Sequence, residues 1–294
     1  MGDSNSLIKI ELGDYSKPVN TLIEKISNGI AGYFQPYQIK RIANAEAEAN
    51  KIHAVSQIKI TELQKRAMTR FFSEEAKKQN NIEEIIRKAI PEVSEQAKPD
   101  QIEDDWITHF FDKCRIVSNE DMQQLWSRVL SGEANSPGSF SRKTVNLLAD
   151  LNREDALLFT NLCRFCWKMG VIYPLIFDVK SEVYIQQGIN FNTLSNIENL
   201  GLIKFDDLAG FARYKLPKKI TVSYFGKNVE ITFPKDVDNK LELGKVLLSR
   251  VGEQLFSVCK STPIDEYFSF VYDRWASKSL VPKSENQQED SAES

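Results

Sequence analysis

Residues 118–144 read SNEDMQQLWSRVLSGEANSPGSFSRKT, and this stretch predicts two helices joined by a tight loop. Ser118 and Asp121 have the spacing of a capping box, which favours a helix that begins there. Gly132 is typical of a helix end, so the helix is expected to stop at that glycine. The next helix is predicted over about 142–150. The stretch therefore places a pair of packed helices at the centre of the chain.

The loop of this stretch supports two interpretations. A serine-rich loop that leads into a helix can hold an anion, because the first N–H groups of the helix point outward. The alternative is structural: the Pro-Gly pair turns the chain, and a serine caps the next helix. We favour the cap, because the loop lacks the GxxxxGK[ST] pattern of a phosphate-binding loop. The candidate anion or cap residues are Ser139, Ser141, Arg142 and Lys143.

Toward the N-terminus, the sequence predicts a short amphipathic helix over 18–34 and then an unbroken helix over about 37–79. The long helix is rich in alanine and charge, and its apolar stripe is narrow. Such a stripe is typical of a coiled-coil seam or an exposed stalk. Self-association and packing on the chain's own helical domain both fit. The stripe continues through Leu63, Ala67 and Phe71, and the candidate self-association residues are Ile39, Ile42, Ala45, Ala49 and Ile52.

Several acidic residues near predicted helix starts also have two interpretations. A shorter helix is expected from an asparagine cap at Asn80 to Pro91, and another begins at Asp104 or Asp105. Facing carboxylates can bind Mg²⁺, yet acidic residues in the first turn of a helix are favoured by its dipole. We favour capping over a metal site. The acidic residues concerned are Asp104, Asp105, Glu120, Asp121 and Glu133.

The composition changes after Gly170, where β-branched and aromatic residues increase. A helix is predicted over 153–169, strands over 171–179 and 181–185, and a helix leading into a strand over 190–205. Residues 211–233 then alternate on either side of the turn FGKN, which predicts a hairpin. Two more helices are expected, near 247–260 and 263–275. This order of elements is the one expected of a winged-helix-like domain.

The predicted hairpin is the best candidate for nucleic-acid contact. It has five basic residues between 213 and 227, interleaved with aromatic residues and with no acidic residue. The helix that would read the bases carries no Arg or Lys and includes Glu198, so a solvated face is the favoured alternative. Binding to DNA is expected to be weak and non-specific. The basic residues are Arg213, Lys215, Lys218, Lys219 and Lys227.

We find no residue pattern that predicts catalysis, a metal site or a cofactor. Cys163 and Cys166 form a CxxC in a predicted helix, where core packing is a better interpretation than zinc binding. The two histidines, His53 and His109, belong to no recognisable triad. Four cysteines without a signal peptide favour the reducing cytoplasm, and the net charge is −3. No apolar run approaches the ~20 residues of a membrane span, and action at a membrane ranks last among the interpretations.

The fold class expected from these patterns is mainly α, with a smaller α+β part. It comprises a long N-terminal helix, a helical core and a C-terminal winged-helix-like domain. The predicted boundaries are 1–80 for the amphipathic and stalk-like helices, 81–152 for the helical core, 153–275 for the α+β domain and 276–294 for a disordered acidic tail.

Four stretches in order resemble the bacterial family known as domain of unknown function 2806: YFQPYQIKRIANAEAEA, RFFSEEAKKQNNIEEI, DDWITHFFDKCRIVSNEDMQQLWSRVLSGE and PGSFSRKTVNLLADLNREDALLF. The segment 118–159, with Trp126 and Asp155, is also distantly similar to the abortive-infection alpha group. The resemblance implies a bacterial origin and a role in defence against phage, and it implies no catalytic residues.

These observations predict a non-enzymatic protein that self-associates, or binds a protein partner, through its long helix. A DNA-binding regulator that uses the basic hairpin is one alternative. A peripheral membrane effector that acts through its N-terminal helices is another.

Overall fold

The computed structural model of the protein describes residues 15–29 and 61–282, and these form two compact units that meet in sequence at Ala149 and Asp150. The first unit is helical in its described residues. The second combines helices with antiparallel strands. The fold class is therefore confirmed as mixed, with much helix and a smaller β part.

Helix α1 (Lys17–Gly29) buries one face of the amphipathic pattern, including Leu22 and Ile26. Its position is fixed by polar contacts with the next part of the unit. The hydroxyl of Thr108 donates to the carbonyl oxygen of Gly29 at 3.0 Å. The predicted helix extended to residue 34, and the part after Gly29 lies outside the described residues.

Helix α2 (Glu62–Ala89) begins at Thr61, which forms a capping box with Gln64. Thr61 has an extended backbone, so the prediction of an unbroken helix over 37–79 is wrong. The prediction of an asparagine cap at Asn80 is also wrong, because the helix continues through it. Next to it, the buried amide of Asn81 donates to the carbonyl oxygen of Arg115 at 2.9 Å, a tertiary contact that keeps the residue within the helix. The predicted domain boundary at residue 80 thus falls inside α2.

Three more helices complete the first unit: α3 (Asp104–Cys114), α4 (Glu120–Asn135) and α5 (Arg142–Asp150). Their apolar faces meet in an aromatic core. The ring of Phe110 stacks on Trp106 at 5.0 Å and meets the ring of Trp126 edge-on at 5.1 Å. The prediction of a helix over 142–150 is confirmed.

Two details of α4 differ from the predictions. Its N-cap is Asn119, whose side chain accepts the N–H of Met122 at 3.1 Å, and not Ser118. The helix also continues past Gly132 to Asn135. It continues because Ser131, Glu133 and Ala134 are buried there, and tertiary burial outweighs the weak helix-ending tendency of one glycine.

The second unit opens with helix α6 (Arg153–Cys163), followed by strands β1 (Cys166–Met169) and β2 (Val171–Pro174). The prediction of one helix over 153–169 is therefore wrong for its last part. Gly170 takes a φ of +79°, which turns β1 directly into its antiparallel partner β2. The ladder bonds of this hairpin replace the helical bonds that the apolar periodicity predicted.

Further along the chain lie three short elements: helices α7 (Glu182–Ile185) and α8 (Phe191–Asn199), and strand β3 (Ile203–Phe205). The prediction of a strand over 181–185 is wrong, because α7 buries Tyr184 as part of a single helical turn. The predicted helix-to-strand transition over 190–205 is confirmed, with Gly201 at a φ of +82° between the two.

The remaining strands are β4 (Phe211–Leu216), β5 (Lys219–Tyr224), β6 (Lys227–Thr232), β7 (Asn239–Gly244) and β8 (Val246–Leu248). A four-stranded antiparallel sheet has the order β2-β1-β5-β6, while β3 pairs with β8 and β4 with β7. The β5–β6 hairpin turns at Phe225 and Gly226, which both have positive φ. The predicted hairpin over 211–233 is thus correct only for its second half, because β4 pairs elsewhere.

Two helices end the described chain, α9 (Arg250–Phe256) and α10 (Asp265–Ser277). The predicted helix over 247–260 is shorter than expected because its start belongs to β8. The predicted tail from residue 276 also begins too early. Val281 is buried, and the carbonyl oxygen of Leu280 accepts the N–H of Thr232 at 2.9 Å. Residues 283–294 lie outside the described chain.

Tyrosine hydroxyls tie the core of the second unit to its backbone. The Tyr224 hydroxyl donates to the carbonyl oxygen of Arg164 and accepts the N–H of Ile264, both at 2.8 Å. The hydroxyl of the fully buried Tyr267 lies 2.8 Å from the carbonyl oxygen of Phe165. The Tyr224 bonds thereby give a side-chain partner to the backbone of Arg164 and Ile264, which both lie outside the strands and helices.

Candidate interaction surface

The first half of helix α2 projects beyond the packed part of its unit. At 1.5 Å per residue the helix is about 42 Å long. Its second half packs on α4 and buries Ile82, Ile85 and Ile86. Residues 62–79 include no buried residue. The helix therefore presents about five turns to its surroundings within the described part of the chain.

This projecting half carries large apolar side chains. Leu63 is 68% exposed, Phe71 is 59% exposed and Phe72 is 50% exposed, and Met68 is 36% exposed. Phe71 lies eleven residues before Ile82, which is close to three helical turns, so both side chains share one face. The apolar face that packs on α4 thus continues along the projecting half, where no described residue covers it. We call Met68, Phe71 and Phe72 the α2 apolar face; Leu63 lies nine residues before Phe72, two and a half turns, and is therefore on the other side of the helix.

The projecting half has only weak local support. Thr61 caps its first turn, and three ion pairs brace it: Glu62 with Lys65 at 2.9 Å, Arg70 with Glu74 at 3.5 Å and Glu75 with Lys78 at 2.6 Å. Each such exposed pair contributes about 0.2–0.5 kcal/mol. Isolated helices of this length are marginal in water. A partner that buries the apolar face would therefore stabilise this half of the helix.

A groove lies at the base of the projecting half. Its cavity measures about 710 Å³ and is lined by α2 residues and by the connection between α3 and α4. Ile116 lies in this groove and is 71% exposed. The α2 residues that line the groove are polar apart from Ala76, so the groove is separate from the α2 apolar face.

The sequence stripe and the α2 apolar face coincide only in part. Leu63 and Phe71 are on the exposed segment, as the stripe predicts. Met68 and Phe72 were missed, although Met68, Phe71 and Phe72 have the i, i+3, i+4 spacing of one helix face. The stripe predicted from the residues before Leu63 has a different phase on the helix. It therefore includes Leu63, Ala67 and Phe71 and omits Met68 and Phe72. The five residues from Ile39 to Ile52 that were predicted for self-association lie outside the described residues.

The loop between α4 and α5 holds an anion from the chain itself. The Glu133 carboxylate is buried, and its two oxygens accept the N–H of Gly138 at 2.6 Å and the N–H of Phe140 at 2.9 Å. Burial has the largest effect on this carboxyl and raises its pKa, against the lowering effect of the backbone donors. The loop amides at these positions are thus occupied by Glu133.

The four residues predicted for an anion or cap site have separate roles. The hydroxyl of Ser141 accepts the N–H of Thr144 at 3.3 Å and caps α5. The hydroxyl of Ser139 donates to a backbone carbonyl of its own loop. Arg142 pairs with Asp105 at 3.0 Å, and Lys143 is exposed. These contacts agree with the capping interpretation.

The basic residues predicted for nucleic-acid contact are divided between two sheets. Arg213 and Lys215 belong to β4, whereas Lys219 and Lys227 belong to the β5–β6 hairpin. Carboxylates from outside the basic stretch pair with three of them. The pairs are Lys218 with Asp236 at 2.8 Å, Lys219 with Glu230 at 2.7 Å and Lys227 with Asp265 at 2.9 Å.

The CxxC and the acidic pairs lie in separate parts of the described chain. The CxxC spans the end of α6 and the start of β1, so the prediction that both thiols lie on one helix is wrong. Cys163 and Cys166 are buried, and burial raises the pKa of Cys163 well above its ordinary value. The acidic pairs lie in the first turns of α3 and α4, where capping was predicted. Across 15–29 and 61–282, no three His, Cys, Asp or Glu residues are placed to hold a metal ion.

These features define a class: a two-unit protein with a projecting helix and an apolar face, whose second unit is a mixed α and antiparallel β structure. The family model described as protein of unknown function (DUF2806) matches residues 65–272, and the chain belongs to that family. No curated protein and no solved structure shows significant similarity to it. None of the helices in the described ranges is long and apolar enough to cross a membrane.

Proposed function

We propose that this protein is a non-enzymatic interaction protein that self-associates through the α2 apolar face. The observation that supports this most directly is the continuation of the packing stripe of α2 onto exposed residues. Contiguous exposed apolar surface of this kind marks protein–protein contact sites. Helix-to-helix pairing would bury the aromatic side chains of both copies at once.

The charge pattern of the projecting half favours a second copy of the same helix. In an antiparallel pair centred on Arg70, Met68 lies opposite Phe72 of the other copy. Lys65 lies opposite Glu75, and Glu62 lies opposite Lys78. Arg70 itself is two residues from both Met68 and Phe72, which places it on the opposite side of the helix from both. A two-fold arrangement of this kind uses one patch twice and is closed.

Light scattering after size exclusion tests the proposal on the full chain. The chain mass is 33.6 kDa, and the wild-type protein is expected to give twice this mass. A double variant, Phe71→Asp with Phe72→Asp, is expected to give the monomer mass, because four charges would enter the interface. Leu208→Asp is the matched control, since Leu208 is 94% exposed and belongs to the second unit.

Charge exchange separates self-pairing from binding to an unrelated partner. Lys65→Glu places like charges opposite each other and is expected to weaken the dimer. Adding Glu75→Lys restores opposite charges between the copies and is expected to recover it. A wild-type protein that stays monomeric at 100 µM would overturn the proposal. A dimer that persists in the double aspartate variant would do the same.

Three narrower predictions accompany this proposal. The resemblance of residues 118–159 to the abortive-infection group suggests that the association serves defence against phage. The winged-helix assignment for the second unit, and weak DNA contact through its basic residues, are also predictions. Duplex DNA binding at low salt, lost in a Lys218, Lys219 and Lys227 triple glutamate variant, is the observation that would establish the DNA contact.

A further inference from the structure

A second cavity lies within the second unit and takes no part in the α2 surface. It measures about 370 Å³, within the range of small-molecule sites. Strand β7, the connection that precedes it and helix α10 form its walls.

The cavity has an apolar part that is rigidly held. Phe177, Leu241 and Trp275 are all buried, so their positions are set by core packing. The guanidinium of Arg274 lies 4.3 Å from the centre of the Phe177 ring, a cation–π contact. An organic group that enters the cavity would meet Trp275 and the guanidinium that covers the Phe177 ring.

The charged part of the cavity has an excess of cations. Arg274 lies in the last turn of α10 and Lys278 directly follows the helix, and both contact the Glu242 carboxylate, at 3.3 Å and 2.5 Å. Among the described residues, neither Lys235 nor Lys240 forms an ion pair with a carboxylate, and the ammonium of Lys240 lies 5.5 Å from the centre of the Tyr214 ring, which is outside the lining. Four cations against Asp238 and Glu242 leave a formal charge of +2 on the lining.

We propose that this cavity binds a small organic phosphate monoester. The monoester carries a charge of about −1.5 to −2 at pH 7, which matches the lining, whereas a carboxylate ligand would neutralise only half of it. Lysine ammonium groups act as point charges toward phosphate. The apolar part of the cavity receives the organic body. Glu242 competes with the phosphate for Arg274 and Lys278, because these same cations hold its carboxylate.

Calorimetric titration of the full chain tests this site with named probes. Phenyl phosphate and adenosine 5′-monophosphate are the probes, and adenosine and inorganic phosphate are the matched comparisons. At least one monoester is expected to bind with a Kd below 1 mM and at least tenfold more tightly than both comparisons. Inorganic phosphate binding as tightly as the monoesters would overturn the organic ligand, and failure of both monoesters below 5 mM would overturn the site.

Variants identify the residues that bind. Lys235→Ala with Lys240→Ala is expected to weaken monoester binding at least tenfold, and Lys204→Ala, an exposed lysine of β3, is the control. Glu242→Gln removes the competing carboxylate and is expected to tighten binding several-fold. Unchanged binding in the double alanine variant would place the ligand elsewhere. Weaker binding in Glu242→Gln would contradict the charge argument.

Discussion

Replacing Glu133 by glutamine tests how the loop between α4 and α5 is held. The two carboxylate oxygens accept N–H groups from Gly138 and Phe140, and glutamine offers only one oxygen. Its NH₂ group would face the second donor, and an unpaired buried donor costs about 1–3 kcal/mol. Burial of the wild-type carboxylate itself costs free energy, as its raised pKa indicates. This cost offsets part of the loss that the substitution causes. The expected net loss for Glu133→Gln is therefore about 1–2 kcal/mol at neutral pH.

The same residue predicts a direction of pH dependence. The folded pKa of Glu133 lies above its ordinary value of 4.5, so the folded state binds the proton more tightly than the unfolded state. The stabilising contribution is then fully present below the unfolded pKa and is lost as pH rises through the folded pKa. The advantage of the wild type over Glu133→Gln is expected to be largest below pH 4.5 and to decrease above it.

Urea denaturation followed by circular dichroism measures the free energy of unfolding, and hydrogen exchange locates the change. Because the chain has two units, exchange of a peptide over 136–145 reports on the loop itself. Faster exchange there is expected in Glu133→Gln. Glu95→Gln, at an exposed position of the same unit, is the control and should change stability by less than about 0.5 kcal/mol. Equal stability and equal exchange in wild type and Glu133→Gln would refute the reasoning.

Three further predictions can be read by the same denaturation assay. Tyr224→Phe should cost about 1–3 kcal/mol because a backbone N–H loses its acceptor. Burial raises the pKa of Tyr224 to about 12 from 10.0, so the wild type should lose stability as pH rises from 10 to 12, and the phenylalanine variant less. Asn119→Ala should cost about 1 kcal/mol and Ser118→Ala less than half as much, since only the former is the cap; equal losses would contradict this. Gly244→Ala would put a Cβ 2.2 Å from a backbone oxygen and should cost more than about 3 kcal/mol. Gly226→Ala, where the space is open, should cost about 1 kcal/mol. Similar costs for the two variants would be inconsistent with that contact.

Local features of the fold were predictable from sequence where the interacting groups lie within about four residues of each other. Helix α5 was predicted with its observed bounds, because its cap and its apolar spacing are both local. The turn at Phe225 and Gly226 was likewise found from the alternation on either side. The spacing of Phe71 and the residues around it was also present in the sequence, although its phase was misjudged.

Longer-range features could not be predicted, because they depend on which elements meet. Lys219 belongs to a basic stretch without acidic residues, yet the register of β5 and β6 brings Glu230 to it. Glu133 directly follows the predicted helix end at Gly132, and only the fold buries its carboxylate against two amides.

The sequence by itself determined the helical first unit, the change to a mixed second unit and the apolar stripe of α2. Apolar periodicity and helix caps depend only on residues that are close in sequence. The tertiary structure decided that the stripe packs on α4 only from Asn81 onward. Before Asn81 the stripe is exposed, including at Phe71. It also decided that four basic residues from distant segments line one cavity: Lys235, Lys240, Arg274 and Lys278. The physical reason is that burial and charge pairing are properties of contacts between distant segments, whose energies exceed local propensities.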